Sequence, residues 1–207
     1  MLVSIIIPCN NSQSTISDCL KSIKIQKFQE FEIKIIDNLS SDQTIDLIKK
    51  FDFKDIEILS EKDSGIYDAI NKGIFHAKGD IISVLHSDDI FFDGNVLLEV
   101  VDAFYKNKVE IVYGNLTYVR RNDLNKTIRF WRPGKFYNHS FLKGWSPPHP
   151  SFFVKRKVKE IIHKIVRNIF PITNIFPFPF SLLKEVLAEA ELVPPPFAIP
   201  DDRERGE

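Results

Sequence analysis

The residues best suited to chemistry are two adjacent carboxylates, Asp88 and Asp89, in the sequence Leu85-His86-Ser87-Asp88-Asp89. Adjacent carboxylates repel each other, so such a pair is stabilised by a cation or by hydrogen-bond donors. Mg²⁺ and Mn²⁺ prefer oxygen ligands, and a histidine nitrogen can complete the ligand set of Mn²⁺. The pattern therefore predicts a divalent metal at Asp89, Asp88 and His86. A helix N-cap is the alternative role of an isolated Asp-Asp pair.

Polar side chains also stand where the first two predicted strands end. The first strand runs into the turn 8–12, which contains Pro8 and Asn10 and can present amide groups to a ligand, although a plain turn is the alternative. The second ends at Asp37, whose carboxylate can accept hydrogen bonds from a base edge or a ribose, or act only as a turn or N-cap residue. Neither strand is followed by a glycine-rich phosphate loop, which argues against dinucleotide dehydrogenases and P-loop enzymes.

A third polar cluster lies in the segment 61–73. Asp63 is placed to cap the following predicted helix, and Asp68, Asn71 and Lys72 lie within one helical turn of each other.

All of these clusters fall at the carboxyl ends of predicted strands. Short β-branched runs alternate with amphipathic stretches over residues 1–115, which is the pattern of βαβ units around a parallel sheet. The predicted strands are Val3–Pro8, Phe31–Asp37, Ile56–Ser60, Asp80–Leu85 and Glu110–Gly114, and the predicted helices are Ser14–Lys27, Ser41–Phe53, Gly65–Ala77 and Asn95–Lys106. Ligands of such sheets bind at the carboxyl ends of the strands, so we expect one shared site.

The pattern changes after Asn115. Leu116–Arg121 and Thr127–Trp131 alternate in polarity and predict a β-hairpin. From Val158 the chain is first rich in lysine and isoleucine, then in proline and phenylalanine, and we predict an atypical helical and proline-rich tail. The expected fold class is α/β, with a mostly parallel sheet flanked by helices, a small hairpin region and this tail.

The charge balance conceals an uneven distribution. The 207 residues include 28 basic and 28 acidic side chains, yet residues 120–167 contain 13 basic and 2 acidic ones. Such a block is often only a solvated surface, but it also suits a phosphate-bearing ligand or an anionic membrane surface. Nucleic acid is not expected as a partner, because no aromatic-interleaved RNA motif or recognition helix accompanies the charges.

Two cysteines, Cys9 and Cys19, cannot build a disulfide framework, and nothing near them has the spacing of zinc ligands. The apolar start Leu2–Ile7 is too short for a signal peptide or a membrane span. We therefore expect a cytoplasmic protein.

Together these motifs resemble the nucleotide-sugar glycosyltransferases of the GT-A fold, family two. The resemblance is carried, in the family's order and spacing, by Val3–Pro8, Ile35–Asn38, Asp63–Gly73, Gly79–Ile82 and His86–Asp89. Tyr113–Asn115 and Gly144–Phe153 extend it to about residue 157 and are similar to the bacterial branch that builds exopolysaccharides, including colanic-acid-type and O-antigen enzymes.

The resemblance implies a hexosyltransferase-type enzyme that moves a sugar from a nucleoside-diphosphate sugar to an acceptor hydroxyl, with inversion and with Mn²⁺ or Mg²⁺. It implies cell-surface polysaccharide synthesis, a saccharide or lipid-linked saccharide acceptor, and a place at the inner face of the plasma membrane. It also divides the chain into a GT-A domain over 1–157 and the tail 158–207. Within that domain, residues 1–115 form the nucleotide-sugar-binding half and 116–157 begin the acceptor half.

The resemblance further implies roles for single residues. Those expected to bind the nucleotide sugar are Pro8, Asn10, Asp37, Asp63, Asn71 and Asp88, and those expected to hold the metal are Asp89, Asp88 and His86. His86 stands where many relatives have the first acid of an Asp-x-Asp motif. Trp145 and His149 fall on the acceptor side, where Trp145 could stack beneath a sugar and His149 could lie near the diphosphate or the metal. A packed loop with a satisfied histidine is the alternative.

The catalytic base is not identified by the sequence. An inverting enzyme needs a carboxylate to take the proton of the acceptor, and the family's acidic motif downstream of Pro150–Lys157 is missing here. Two alternatives therefore stay open: a nucleotide-sugar-binding protein without the catalytic base, and a sugar nucleotidyltransferase. The second is disfavoured because the glycine-rich basic loop expected after its first strand is absent.

Overall fold

Eight strands form one mixed, mostly parallel sheet with helices on both faces. The computed structural model describes residues 1–137, 140 and 145–158 and the backbone of 190–201. The strands are β1 (Val3–Cys9), β2 (Phe31–Asp37), β3 (Ile56–Ser60), β4 (Ile81–Val84), β5 (Ile111–Arg120), β6 (Asp123–Trp131), β7 (Phe152–Lys155) and β8 (Ala190–Asp201). Their order is β3-β2-β1-β4-β7-β5-β6, and β8 pairs with β5. The predicted α/β class is confirmed.

The helices are α1 (Ile16–Lys24), α2 (Thr44–Ile48), α3 (Ile66–His76) and α4 (Val96–Asn107). Helices α1, α2 and α4 cover one face of the sheet, where Leu20 and Val100 pack with Ile5. Helix α3 covers the other face, where Ile70 and Ile74 pack with Ile6. Within the described residues, no helix has the length and apolar character needed to cross a membrane.

The parallel part of the sheet, β3-β2-β1-β4, determines where polar side chains can gather. Every residue of β1 is buried, as is every residue of β2 after its first. Both strands are rich in isoleucine, which suits strands covered by helices on both faces. Because these four strands run in one direction, their carboxyl ends lie at a single edge of the sheet.

Six elements, β1–β4, α3 and α4, lie within one residue of their predicted bounds. Helix α1 is shorter than predicted, by two residues at its start and three at its end, and β6 begins four residues before the predicted Thr127. Three further differences have local causes. Helix α2 is much shorter than predicted, because the amide of Thr44 donates to Oδ1 of Asp42 at its start and the chain tightens after Ile48. The strands predicted at 110–114 and 116–121 are one strand, β5, because Gly114 and Asn115 stay extended and buried. The short antiparallel strand β7, between β4 and β5, was not predicted.

The described part of the tail is a strand and not a helix. Residues Ala190–Asp201 run parallel to β5, and the three prolines 194–196 fall where the pairing register shifts. Proline has no N–H to give to a ladder, so it is tolerated at such an irregularity but not inside a helix. Residues 159–189 and 202–207 lie outside the described residues. The prediction for them, and the domain division at residue 157, stay predictions.

Gly73 determines how closely α3 approaches the sheet. A Cβ atom on this residue would lie 2.3 Å from Cγ2 of Ile6 and 3.3 Å from Cγ1 of Ile36. We expect Gly73→Ala to lower the free energy of unfolding by about 1–3 kcal/mol, because overpacking outweighs the roughly 1 kcal/mol that alanine gains over glycine in a helix. Urea denaturation of both proteins measures the difference.

The Ile6→Ala background is the control for this explanation. It removes the methyl group that a Cβ at Gly73 would meet, so Gly73→Ala should cost less there, or nothing. An equal loss of stability in both backgrounds would contradict overpacking as the cause.

Candidate functional site

A cleft of about 460 Å³ opens at the carboxyl ends of the parallel strands. Its walls come from the turn after β1, from the loop after β2, from the start of α3 and from the segment after β4. The lining residues are Pro8, Cys9, Asn10, Asn11, Ser12, Ser14, Thr15, Asn38, Asp63, Gly65, Ile66, Ala69, His86, Ser87, Asp88 and Arg121. Five of the predicted site residues are therefore brought together here: Pro8, Asn10, Asp63, His86 and Asp88.

The turn after β1 is held in shape by hydrogen bonds to the loop after β2. Nδ2 of Asn10 donates to the carbonyl of Asn38 over 2.6 Å, and Oδ1 of Asn11 accepts from the amide of Ser41 over 2.9 Å. Asn11 has a φ of 50°, a left-handed conformation that asparagine tolerates better than most residues. The floor of the cleft is thus fixed before any ligand binds.

Asp37 lies behind this lining rather than on it. Its carboxylate is completely buried and accepts hydrogen bonds from the hydroxyl of Ser60 over 2.6 Å and from the amide of Ser40 over 3.1 Å. Burial, reinforced by the charge of Asp37, raises the pKa of the Cys9 thiol, which donates to Asp37. Asp37 therefore anchors the loop that borders the cleft, and its predicted contact with a base stays a prediction.

Asp63 and Asn71 have different positions relative to the cleft. Asp63 lines it, and Oδ1 of Asp63 accepts from the amide of Gly65 over 2.9 Å, which shapes the entry into α3. Gly65 has a φ of 115°, which favours glycine at this position. Asn71 lies on α3, eight residues after Asp63, and does not line the cleft. Its Oδ1 is buried without a hydrogen-bond partner.

A carboxylate and two imidazoles converge beside the cleft. His86, Asp89 and His149 each offer a ligand atom, and these atoms lie within 4.8 Å of one another. Nε2 of His149 is 3.8 Å from Oδ2 of Asp89, and the two imidazole centroids are 4.5 Å apart. Asp89 is 2% exposed, and its Oδ2 has no hydrogen-bond partner. Asp88 is exposed to the cleft and is not part of this group.

The electrostatics of this group fit a bound cation. Burial, followed by the charge of Asp88, raises the pKa of Asp89 well above its ordinary value. Burial lowers the pKa of His149 to about 3, with a further contribution from His86, and burial also lowers the pKa of His86 against the opposing effect of Asp88. Both imidazoles are thus neutral and can donate a lone pair, while a metal would stabilise the anionic form of the buried Asp89 carboxylate.

Trp145 belongs to an aromatic group with Tyr113 of β5 and Phe136. Its ring lies 5.6 Å from that of Tyr113 and 5.3 Å from that of Phe136, and its Nε1 donates to the carbonyl of Pro133 over 2.5 Å. It is half-buried and does not line the cleft. Its role under an acceptor sugar stays a prediction.

Several lining residues were not predicted as site residues from the sequence, and two of them, Ser87 and Arg121, connect separate parts of the cleft. The hydroxyl of Ser87 lies 2.7 Å from that of Ser12 and joins the segment after β4 to the turn after β1. Arg121 lies on the turn between β5 and β6, and its Nη2 donates to Oγ of Ser14 over 2.7 Å. Its charge was counted in the basic block, but only the fold turns this residue toward the cleft.

Comparison with known proteins gives one family. The chain matches the family model described as Glycosyl transferase family 2 over residues 4–162. It is 32% identical over 143 residues to UDP-Glc:alpha-D-GlcNAc-diphosphoundecaprenol beta-1,3-glucosyltransferase WfgD of Escherichia coli, covering 69% of this chain and 55% of that protein. It is 31% identical over 119 residues to the PGL/p-HBAD biosynthesis glycosyltransferase of Mycobacterium tuberculosis, covering 56% and 46%. The chain thus spans about half the length of these curated relatives.

Two solved structures show the same architecture. S. aureus TarS 1–349 in complex with UDP-GlcNAc superposes with a TM-score of 0.70 at 18% identity, over 99% of this chain and 60% of that one. Mannosyltransferase PcManGT from Pyrobaculum calidifontis, in complex with GDP-Man and Mn²⁺, superposes with a TM-score of 0.62 at 19% identity, over 99% and 58%. These likenesses concern the fold, and they confirm the predicted GT-A-type α/β arrangement.

Proposed function

The chain belongs to glycosyl transferase family 2, and from this premise we propose that it binds a nucleoside-diphosphate sugar and transfers the sugar to an acceptor hydroxyl. The observation that carries the proposal is that the cleft adjoins the metal-competent group, which consists of His86, Asp89 and His149. His86 belongs to both, and Asp88 of the cleft directly precedes Asp89. A polar cleft beside a cation site suits a ligand that joins a nucleoside to a diphosphate. The glycosyltransferase names of the curated relatives support the same activity.

We assign the nucleoside to the part of the cleft formed by the turn after β1 and the start of α3. Asn10 and Asp63 there offer an amide and a carboxylate in positions already fixed by protein hydrogen bonds. Groups that need no reorganisation stabilise a ligand more effectively than mobile ones. Asp88, which faces the cleft, is assigned to the donor ribose.

We assign a divalent cation, Mn²⁺ or Mg²⁺, to Asp89, His86 and His149. Two imidazole nitrogens in the set favour Mn²⁺, because Mg²⁺ prefers oxygen ligands. When bound, such a cation neutralises the negative charge of a departing diphosphate. Asp88, predicted together with Asp89 and His86 to hold the metal, is assigned instead to the nucleotide-sugar side of this site.

We also propose that the transfer inverts the anomeric configuration, which requires a carboxylate base on the acceptor side. We nominate no residue for this role. Glu160, Glu185, Glu189 and Asp202 lie outside the described residues, and only the backbone of Asp201 is described.

For the acceptor we propose a lipid-linked saccharide in cell-surface polysaccharide synthesis, reached from the cytoplasm at an anionic membrane. The name of WfgD includes a diphosphoundecaprenol acceptor. Strand β6 supports a membrane surface, because Lys126, Arg129 and Arg132 are exposed beside Ile128 and Phe130, which are 44% and 41% exposed. Basic and apolar side chains together favour an anionic lipid surface.

Calorimetric titration of UDP and GDP, with and without Mn²⁺, tests the donor site. We expect one nucleotide to bind, and to bind more tightly with Mn²⁺. At a ligand concentration of about 100 times Kd, the free energy of unfolding should rise by roughly 2.7 kcal/mol, which a thermal melt detects. Failure of both nucleotides to bind, with or without the metal, would contradict the proposal.

A second candidate function is nucleotide-sugar binding without transfer. The observation in its favour is that the family's acidic motif, expected after the segment Pro150–Lys157, is missing from the sequence. Incubation with radiolabelled UDP- and GDP-sugars and a lipid-linked saccharide separates the two, because only an enzyme forms labelled product. Formation of a nucleotide sugar from a nucleoside triphosphate and a sugar 1-phosphate would instead identify a sugar nucleotidyltransferase.

A further inference from the structure

We propose that Arg121 is a phosphate-binding residue, and that its guanidinium contacts the diphosphate of the nucleotide sugar from the turn between β5 and β6. The inference rests on the proposed function and adds a specificity-determining contact to its site. It starts from the position of Arg121, which belongs by sequence to the hairpin and by structure to the lining of the cleft.

The hairpin turn places Arg121 where its side chain spans two parts of the fold. Arg120 pairs with Asp123, so Arg121 and the next residue form the whole connection between the strands. Nη2 of Arg121 donates to Oγ of Ser14, just before α1, over 2.7 Å. Residues 107 positions apart in the chain are thereby joined across the mouth of the cleft. A half-buried side chain held in this way loses less conformational freedom when a ligand binds.

The charges that line the cleft require a cation of this kind. Among the described lining residues, Asp63 and Asp88 are acidic, and Arg121 is the one lysine or arginine. Two carboxylates repel the anionic diphosphate unless positive charge lies nearby. A guanidinium always carries its charge, and its planar set of N–H donors matches two phosphate oxygens at once.

A second, smaller cavity supports the same placement. It measures about 90 Å³ and is lined by Ser14, Thr15, Asp18, Asp88, Ile90, Arg121 and Leu124. Arg121 and Asp88 therefore border the same two spaces. Since Asp88 immediately precedes Asp89, a phosphate next to the metal-competent group lies on the side of the cleft that Arg121 borders.

The test compares UDP, UMP and uridine at a fixed concentration of Mn²⁺, by calorimetry. Arg121→Gln should weaken UDP binding by roughly 10- to 100-fold, weaken UMP binding less, and leave uridine binding unchanged, because a charge-assisted hydrogen bond is lost only where a phosphate is present. Arg121→Lys should recover part of the loss, since it keeps the charge without the planar set of donors. If the wild type prefers GDP, the guanosine series replaces the uridine series.

Lys49→Gln is the matched control, because Lys49 is exposed at the end of α2 and does not line the cleft. It makes the same change of charge and should leave all affinities unchanged. Uridine affinity reports whether each variant keeps the cleft intact. Ser14→Ala, which removes the hydroxyl that accepts from Arg121 but keeps the arginine, should weaken UDP binding less than Arg121→Gln does.

The two ways of failing are distinguishable. An Arg121→Gln protein that binds UDP as tightly as the wild type overturns the inference while the donor site stands. An equal loss for UDP and uridine also overturns it, because the arginine would then only support the shape of the hairpin. A wild type that binds none of the nucleotides overturns the proposed function itself, and the inference with it.

Discussion

Asp89→Asn is expected to abolish the effect of Mn²⁺ on UDP or GDP binding and to lower sugar transfer by roughly 100-fold or more. Asp89 supplies the carboxylate of the group that it forms with His86 and His149. A neutral amide at this position keeps the shape of the side chain but not the charge that a hard cation needs. The variant should fold, because it replaces a buried carboxylate oxygen that has no hydrogen-bond partner. Calorimetry with and without Mn²⁺ and a radiolabelled transfer assay measure the two effects.

Asp102→Asn is the matched control. Asp102 is exposed on α4, where it pairs with Lys106, and the substitution makes the same change of charge away from the cleft. It should leave nucleotide binding, its response to Mn²⁺ and transfer unchanged. If Mn²⁺ still strengthens nucleotide binding to Asp89→Asn, the metal is held elsewhere, and Asp88 is then the first residue to test.

Glu32→Ala is expected to lower the free energy of unfolding by about 3–5 kcal/mol. Glu32 and Lys34 project from the same face of β2 and are 0% and 1% exposed, with Nζ of Lys34 2.8 Å from Oε2 of Glu32. Removing the carboxylate leaves a buried ammonium that contacts the half-exposed Glu57. Urea denaturation at pH 7 measures the loss. A loss below about 1 kcal/mol would mean that water replaces the carboxylate.

The same carboxylate organises the turn before β4. Its Oε1 accepts hydrogen bonds from the hydroxyl of Ser4 over 2.6 Å and from the amides of Lys78 and Gly79 over 2.5 Å and 3.1 Å. Part of the expected loss therefore comes from backbone donors left without an acceptor.

The pH dependence of stability should carry the same signature. Burial alone raises the pKa of Glu32, but the bonds to Lys34, Ser4 and Lys78 outweigh burial and lower it. Because the folded-state pKa is lowered, this contribution is complete above the pKa of an unfolded glutamate, about 4.3, and is lost as the pH falls through the lowered value.

The double variant Glu32→Leu/Lys34→Met separates the ion pair from the general cost of mutation. It should lose less stability than Glu32→Ala, because a buried pair replaced by apolar side chains leaves no uncompensated charge. Its stability should also change less between pH 5 and pH 3 than that of the wild type. A wild-type loss no steeper than that of the double variant would contradict the assignment to Glu32.

The parallel half of the fold follows closely from the sequence. Long β-branched runs such as Val3–Pro8 strongly favour strands that are buried on both faces of a parallel sheet. The polar residues at the ends of these strands then meet at one edge of the sheet. Five predicted residues therefore converge on the cleft. The continuity of β5 and the presence of β7 depend instead on which strands lie beside them. Strand β7 has only four residues, too few for an alternating pattern that would predict a strand.

Parts of the site depend on distant contacts and could not be predicted in the same way. Asp37 was recognised by its residue type and its place at a strand end, but the donors of its hydrogen bonds come from the loop after β2 and from the end of β3, at Ser40 and Ser60. His149 approaches Asp89 because β7 pairs with β4, and these strands lie more than 60 residues apart in the chain. Asp88 lines the cleft instead. The sequence showed Arg121 only as one of many basic residues, and the hairpin turn is what places it at the cleft.

The position of β7 has a consequence for the order in which the protein folds. His149 lies three residues before β7, and β7 joins the sheet by pairing Phe153 with Ser83 of β4 and with Val112 of β5. The βαβ units at the start of the chain can assemble from contacts between neighbouring segments, whereas this pairing closes a long loop and is slow to form. The three potential metal ligands come together only at that late step. Affinity for a divalent ion is therefore a measure of whether this long-range contact has formed, and a bound metal would stabilise it.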